Sequence, residues 1–346
     1  MYAKISVPGR DGEWIVWLTY LVLTVLILYS MYTPNIFGRG EQSDSYHCHA
    51  YFNSVYNIYQ GMPYTHNVTS IYGHYALFFK IPVAHLHGGE ITEGAYDDAI
   101  RHAITKMSHL HFTSTEEYRK RVIQLGESPD RVFNVGAIGV ENIKRGSFLS
   151  KEELENSLDF KLGDKSLLVT FHPVTLETCT AREQCDNLLE VLAKHPEYRI
   201  LFTLPNSDTD GRVIIDCIKD FVAKNEDRAI AFKSLGKLRY LSALKYVSAA
   251  IGNSSSGILE VPSFGIPTLD IGDRQKGRLA AKSVVHCGTS TEEIEQGFRL
   301  IFSEAIQSAS KLRSNPYEKE GTTDMIVSQL KTYPLEDLIQ KSFYNL

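Results

Sequence analysis

The chain has 346 residues, a formal net charge of −5 at pH 7 and 43% hydrophobic residues. This length suggests two domains or one large one, and the apolar content excludes global disorder. There are 36 lysines and arginines against 41 aspartates and glutamates, and they form no basic block. The charge pattern therefore does not indicate nucleic-acid binding. The five cysteines are widely spaced and form neither a disulfide framework nor a CxxC zinc pattern, so the C-terminal three quarters of the chain is typical of an enzyme from a reducing compartment.

The N-terminal segment, residues 1–36, contains an apolar run at Trp14–Tyr32 that has neither a charge nor a proline. A helix of this length would measure ~28 Å, about the hydrocarbon thickness of a bilayer. Aromatic residues near both ends are typical of a membrane-interface belt. A cleaved signal peptide fits less well because no A-x-A site follows the run, and a buried helix would carry a polar stripe. We therefore predict a transmembrane helix over residues 14–32, and the flanking charges weakly favour an inside N terminus.

Residues 37–80 form a Tyr-rich segment with little helical or strand periodicity. This segment loosely resembles the first extracytoplasmic part of polytopic membrane glycosyltransferases. Asn67 begins an N-x-T sequon, which alone is weak support for an extracytoplasmic location. The segment also contains the histidines His47, His49, His66 and His74. Because no pair has the i, i+4 spacing with a carboxylate, we interpret them as surface and loop residues and predict no metal site.

From residue 81 onward, apolar runs of strand length alternate with segments of helical periodicity. The predicted strands are Ile81–Leu86, Leu110–Thr113, Arg131–Val135, Leu167–Phe171, Arg199–Thr203, Ala229–Phe232, Ala249–Ile251 and Thr268–Ile271. The predicted helices are Asp97–Ser108, Glu116–Leu125, Arg182–Lys194, Asp210–Lys224, Leu238–Tyr246, Gly257–Phe264, Glu292–Ala309 and Thr323–Lys331. This alternation predicts parallel sheets that are covered by helices on both faces.

The charged stretch Lys151–Lys165 is predicted to be a linker between two such domains. The first domain would comprise residues 81–160 and the second residues 161–315. Residues 316–346 are predicted to form a helical C-terminal tail. In open α/β sheets, ligands bind beyond the carboxyl ends of the strands, so polar residues directly after each strand are the candidate functional residues.

The first polar cluster, HLHGGE, follows the first predicted strand. Its two glycines would let the backbone approach a ligand closely. Glu90 ends the motif, and Asp97 and Arg101 follow on one face of the next helix at i, i+4 spacing. The alternative interpretation is an acidic helix cap with an intrahelical salt bridge.

A second cluster contains His172, which follows a strand and is held by a proline, so that it would face a cleft. A buried, hydrogen-bonded core histidine is the alternative. The third cluster, GNSSSGILE at Gly252–Glu260, ends a strand and begins a helix. Free N–H groups, three hydroxyls and the helix dipole would form an anion site, although simple serine capping is the alternative. Downstream, Arg274 and Arg278 lie in a Gly-flanked loop suited to forked contacts with phosphate or carboxylate.

Taken together and in this order, the clusters resemble those of the hydrolysing UDP-N-acetylglucosamine 2-epimerases over about residues 81–346. The nearest branch supplies N-acetylmannosamine or a related sugar for sialic-acid-type nonulosonates. The matching stretches are IPVAHLHGGEITEGAYDDAIRHAITKMSHLHFTST, VGAIGVENI, FHPVT and GNSSSGILEVPSFGIPTLDIGDRQKGR. The resemblance implies the double Rossmann fold of B-type glycosyltransferases, with a UDP-sugar bound in the interdomain cleft. It also implies elimination of UDP across C1–C2 and addition of water to the glycal, with no metal or other cofactor.

The resemblance also implies roles for individual residues. The implied catalytic residues are Glu90, Asp97, Arg101 and His172. The implied UDP-binding residues are Asn253, Ser254, Ser255, Glu260 and Arg274. Many relatives place a glutamate where this chain has His87, so the role of Glu90 is less directly implied than the others.

Residues 1–80 depart from this family. They lack its first strand, its GTRAD-like turn, a catalytic histidine and a GDR-type aspartate. We therefore expect an incomplete first domain, impaired activity and a join near residues 79–82. Two alternatives are a non-catalytic UDP-binding membrane protein and a membrane-tethered B-type glycosyltransferase. The resemblance implies a cytoplasmic enzyme, and a domain on the outer side of a membrane would be separated from UDP-sugars. A homo-oligomer is also compatible with the sequence.

Overall fold

The computed structural model describes residue 76 and residues 80–94, 97–174, 180–205 and 211–346. The predicted membrane span at residues 14–32 and the four histidines before residue 76 lie outside this part of the chain. Within the described part, no helix has the length and apolar character needed to cross a bilayer. The expectation that the first domain is incomplete also concerns residues that lie largely outside the described part of the chain.

The first sheet has three parallel strands in the order β1-β2-β3. The strands are β1 Ala84–Leu86, β2 Leu110–Thr113 and β3 Val132–Asn134. The helices that follow them are α1 Asp97–Met107, α2 Glu116–Gln124 and α3 Ile138–Arg145. His85 pairs in register with His111, which in turn pairs with Val132. Because a helix follows each strand, every chain crossover returns in the same direction and the pairing is parallel.

The second sheet has six parallel strands in the order β6-β5-β4-β7-β8-β9. The strands are β4 Ser166–Thr170, β5 Arg199–Thr203, β6 Ala229–Phe232, β7 Ala249–Gly252, β8 Thr268–Ile271 and β9 Val284–Cys287. The chain extends the sheet from β4 in one direction and then from β7 in the other. The strand order therefore reverses between β4 and β7, which is where doubly wound sheets open a crevice for ligands.

The remaining helices cover the second sheet and close the chain. They are α4 Lys151–Leu158, α5 Ala181–Ala193, α6 Gly211–Ala223, α7 Gly236–Leu244, α8 Ser255–Leu259, α9 Thr291–Ile301, α10 Glu304–Lys311 and α11 Thr322–Thr332. Each predicted strand has a counterpart in the structure, and β9 is an addition. The α/β class and its parallel sheets, which were predicted from the alternation, are thus confirmed.

The predicted linker at Lys151–Lys165 is wrong, because its first half forms helix α4. Ser150 and Glu153 form a capping box, with the Ser150 N–H donating to the Glu153 carboxylate at 2.8 Å. Leu154 and Leu158 are fully buried in the core of the second sheet. Most residues of this helix are charged or polar, but its two leucines are at i, i+4 spacing. That spacing is typical of an amphipathic helix.

Two predicted helices are interrupted in the structure. The single helix predicted at Glu292–Ala309 is divided into α9 and α10, because Ser303 caps the second of them with its hydroxyl. The helix predicted at Gly257–Phe264 ends early as α8 and continues as a 3-10 turn at Val261–Phe264. Pro262 lies in this turn, where it cannot supply an α-helical N–H.

The C-terminal tail returns from the second sheet to the first. Ile326 of α11 and Leu338 pack in one cluster with Leu110 and Phe112 of β2. The Arg131 guanidinium donates a hydrogen bond to the backbone oxygen of Leu338 at 3.0 Å. The tail therefore completes the core of the first sheet and links the two halves of the chain.

Candidate active site

His172 and Asn253 lie beside each other at the point where the strand order of the second sheet reverses. Asn253 is fully buried, and its side-chain amide forms hydrogen bonds to a backbone N–H and a backbone oxygen, as a neighbouring strand would. Its Oδ1 accepts from the His172 backbone N–H at 2.7 Å, and its Nδ2 donates to the His172 backbone oxygen at 2.8 Å. Burial and the nearby charge of Arg274 lower the pKa of His172 to about 4, so the imidazole is neutral near pH 7.

A glycine is required at the end of β7. Gly252 has a φ of 133°, and a Cβ at this position would lie 1.9 Å from the backbone oxygen of Thr170. The chain can therefore pass close to β4 before it turns into α8. This close approach allows the side chain of Asn253 to reach His172.

The serine turn, residues 254–256, begins helix α8. Ser254 is the N-cap and accepts from the Ser256 N–H at 3.4 Å, so the capping alternative applies to this residue. Ser256 accepts a hydrogen bond from the Tyr240 hydroxyl at 2.7 Å. Burial raises the pKa of Tyr240, which therefore remains a neutral donor. The Ser254 hydroxyl is thus held by its own helix, and the Ser256 hydroxyl is held by α7.

A cleft of about 460 Å³ opens above the carboxyl ends of β4–β6. The residues that line it include Thr170, His172, Thr203, Tyr240, Glu260 and the loop at residues 233–237. Its size is within the range of small-molecule sites. Glu260 and His172 both line this cleft, and Tyr240 and the 233–237 loop, which were not expected from the sequence, line it as well.

Glu90 lies at the junction of the two halves and is only 3% exposed. Its carboxylate receives hydrogen bonds from His87 Nδ1 at 2.9 Å, Ser114 Oγ at 3.1 Å and Arg278 Nη1 at 2.8 Å. Burial alone would raise the pKa of Glu90. The hydrogen bond from His87 and the charge of Arg278 outweigh it and lower the pKa to about 2, so Glu90 is ionised.

Arg101 supports the same turn from helix α1. Its guanidinium donates to the backbone oxygen of Glu90 at 3.2 Å and to the Thr92 hydroxyl at 3.0 Å. Its acidic neighbour is Asp98, at 4.0 Å, and Asp98 also accepts from the Thr92 N–H at 2.7 Å. Asp97 is exposed and, within the described residues, forms no ion pair with Arg101. The salt-bridge alternative therefore applies to Asp98, and a role for Asp97 and Arg101 near the sugar stays a prediction.

The loop after β8 joins the two groups of candidate residues. Near its start, Arg274 Nη1 donates to the backbone oxygen of Asn253 at 3.1 Å. Near its end, Arg278 binds Glu90, and the Leu279 N–H donates to the Tyr118 hydroxyl at 2.9 Å. The sequence indicated that Arg278 could bind a carboxylate, but it did not identify Glu90 as the partner.

Metal ligands are not grouped in the part of the chain that the structure describes. It contains no set of three or more His, Cys, Asp or Glu side chains arranged to hold an ion. A reaction that needs no metal or other cofactor remains a prediction.

Two parallel sheets with candidate residues at their strand ends define an α/β fold of two halves with a cleft at the strand ends of the second sheet. The family model of UDP-N-acetylglucosamine 2-epimerase matches residues 66–331, so the chain belongs to this family and the predicted membership is confirmed. The match begins before residue 81, where the resemblance was expected to begin. The fold is similar to that of the Neisseria meningitidis UDP-GlcNAc 2-epimerase bound to UDP-GlcNAc, with a TM-score of 0.63 and 20% identity, covering 75% of this chain and 72% of that one.

Two relatives share 40% identity with the chain. One is the GDP/UDP-N,N'-diacetylbacillosamine 2-epimerase (hydrolyzing) of Campylobacter jejuni, matched over 271 residues that cover 78% of this chain and 70% of the relative. The other is the polysialic acid biosynthesis protein P7 of Escherichia coli, matched over 280 residues that cover 78% of this chain and 69% of the relative. The expected B-type glycosyltransferase-like epimerase fold is supported by these matches together with the parallel sheets.

Proposed function

We propose that the chain is a hydrolysing UDP-sugar 2-epimerase, which converts UDP-N-acetylglucosamine or a related UDP-sugar to UDP and the free 2-epimerised sugar. The observation that carries this proposal is the loop after β8. It contacts Asn253 of the second half through Arg274 and Glu90 of the first half through Arg278. One loop therefore contacts both a residue that the family resemblance implies for UDP and one that it implies for catalysis.

We place the uridine of the substrate in the cleft of the second sheet. The position of Glu260 at its rim suits hydrogen bonds to ribose hydroxyls, because an ionised carboxylate is an acceptor. The diphosphate would then lie against the serine turn, where Ser254 and Ser255 carry hydroxyls. Arg274 is the neighbouring cation, and the neutral His172 can donate a hydrogen bond to an anionic oxygen.

The reaction requires two kinds of assistance. A base must take the proton from C2, and charge that grows on the β-phosphate as the C1–O bond breaks must be stabilised. The serine turn and Arg274 would supply the second. Arg101 and the acidic start of α1, including Asp97 and Asp98, would lie toward the sugar.

The proposal also covers the identity of the substrate, the membrane anchor, the rate and the oligomeric state. UDP-N-acetylglucosamine is the first candidate, and a UDP-2,4-diacetamido sugar is the second because of the 40% identity to the Campylobacter enzyme. The predicted helix over residues 14–32 would anchor the enzyme to a membrane. We expect a rate below that of family members that carry the motifs which residues 1–80 lack. A homo-oligomer remains an expectation.

The proposal is tested by measuring UDP release and free sugar with each substrate. We expect equimolar UDP and free 2-epimerised sugar from at least one of them. His172→Ala should reduce the rate by at least tenfold, whereas His195→Ala, in a histidine stacked on Phe298 outside the site, should not. UDP binding by calorimetry without turnover would instead favour a non-catalytic UDP-binding protein, and sugar transfer to an added acceptor would favour a glycosyltransferase.

A further inference from the structure

His87 occupies an unusual position in the HLHGGE turn. It follows β1 directly and has a φ of 64°, in the left-handed region that is uncommon for a residue with a side chain. The two glycines after it make the turn possible: a Cβ on Gly89 would lie 2.4 Å from the backbone oxygen of Tyr118. Strained residues of this kind cluster at functional sites, since the surrounding structure must hold them in place.

The two ring nitrogens of His87 have different environments. Nδ1 is hydrogen-bonded to Glu90 Oε1 at 2.9 Å. Nε2 has no hydrogen-bond partner among the residues that the structure describes, and the side chain is 29% exposed. The ring is therefore fixed at one nitrogen and accessible at the other. The bond to ionised Glu90 favours the tautomer with a proton on Nδ1, which leaves a lone pair on Nε2.

Glu90 is itself held by groups from both halves of the chain. Ser114 and Arg278 bind its oxygens, and Arg101 binds its backbone oxygen. The arrangement places a buried, ionised carboxylate behind a histidine whose outer nitrogen is accessible. This is the geometry in which a carboxylate orients an imidazole and stabilises the imidazolium that forms on proton transfer.

We propose that Nε2 of His87 is the base that takes the C2 proton of the UDP-sugar, and that Glu90 is the positioning residue behind it. This assignment rests on the proposed function. The proton moves from C2 to Nε2, and the C2–H electron pair forms the C1=C2 double bond. The C1–O bond breaks, and its electron pair leaves with the β-phosphate of UDP. Water then adds across the double bond, its hydroxyl at C1 and a proton at C2 from the opposite face.

The competing explanation is that His87 has only a structural role, as a hydrogen-bond donor to Glu90. The variant His87→Asn distinguishes this role from that of a base. Asparagine tolerates positive φ, and its Nδ2 can take the place of Nδ1 as the donor to Glu90. It has no group that accepts the C2 proton as imidazole does. We expect kcat to fall by about 100-fold or more, in keeping with the loss of a general base, while calorimetry shows UDP affinity within about twofold of wild type.

A second variant tests the chemistry directly. His87→Gly suits the backbone conformation and leaves space for an added imidazole. We expect exogenous imidazole to raise the rate of His87→Gly in proportion to its concentration and to leave His195→Ala unaffected. Glu90→Gln should lower kcat with little change in KM, since it acts through His87.

Wild-type turnover by His87→Asn, or a His87→Gly variant that does not respond to imidazole, would overturn the assignment while the proposed function stands. If the wild-type chain itself binds UDP but turns over neither UDP-sugar, the proposed function fails and the assignment fails with it. The two failures are distinguished by the wild-type reaction, which is measured first.

Discussion

Replacement of Asn253 by alanine tests the junction on which the second half of the site depends. The side chain makes two hydrogen bonds to the backbone of His172, at 2.7 and 2.8 Å, and is fully buried. Alanine leaves the half-buried N–H and carbonyl of His172 without these partners. At ~1–3 kcal/mol for each unsatisfied group, the free energy of unfolding should fall by ~2–6 kcal/mol.

Two measurements follow the effect of Asn253→Ala. Urea unfolding gives the change in stability, and calorimetry with UDP gives the change in affinity, which should fall by at least tenfold because the loop of His172 is released. Asn156→Ala on the exposed face of α4 is the matched control and should change stability by no more than ~0.5 kcal/mol. An Asn253→Ala protein with wild-type stability and UDP affinity would refute the role of this side chain as the connection between the two strand ends.

Three further changes have defined outcomes. Gly252→Ala should abolish UDP binding measured by calorimetry, because its Cβ would meet a backbone oxygen at 1.9 Å; Gly321→Ala, which also has a positive φ (71°) but has open space around it, should retain binding. Tyr240→Phe removes the donor to Ser256, so UDP affinity should fall about fivefold, equivalent to ~1 kcal/mol. Glu127 has its pKa lowered from 4.5 to about 2 although burial opposes this, because His111, Lys106 and Lys341 bind it. Its stabilisation is present above pH 4.5 and lost as the pH falls toward 2, so the stability deficit of Glu127→Gln in urea should shrink over that window.

Much of the architecture could be predicted because strands and helices alternate with clear periods. The proximity of His172 to the start of the serine turn could also be predicted, since both directly follow apolar strands. The reversal of strand order between β4 and β7 then brings them together. Helix α4 was not predicted, because its charged surface conceals the burial of Leu154 and Leu158.

The contacts across the two halves could not be predicted from local patterns. Arg278 and Glu90 are 188 positions apart in the chain, and no periodicity relates them. The choice between Asp97 and Asp98 depends on the rotation of α1 relative to the 90–92 turn, which two adjacent aspartates do not reveal. Tyr240 was missed for a similar reason, since an aromatic residue on a helix is ordinarily assigned to the core.

The central claim is tested most directly by proton NMR of the full chain with UDP-N-acetylglucosamine and, separately, with the UDP-2,4-diacetamido sugar in D2O. Proton loss from C2 followed by hydration predicts free UDP and a free 2-epimerised sugar that carries deuterium at C2. A free sugar that retains its C2 proton, or an unchanged spectrum with both substrates while calorimetry shows UDP bound, would contradict the claim.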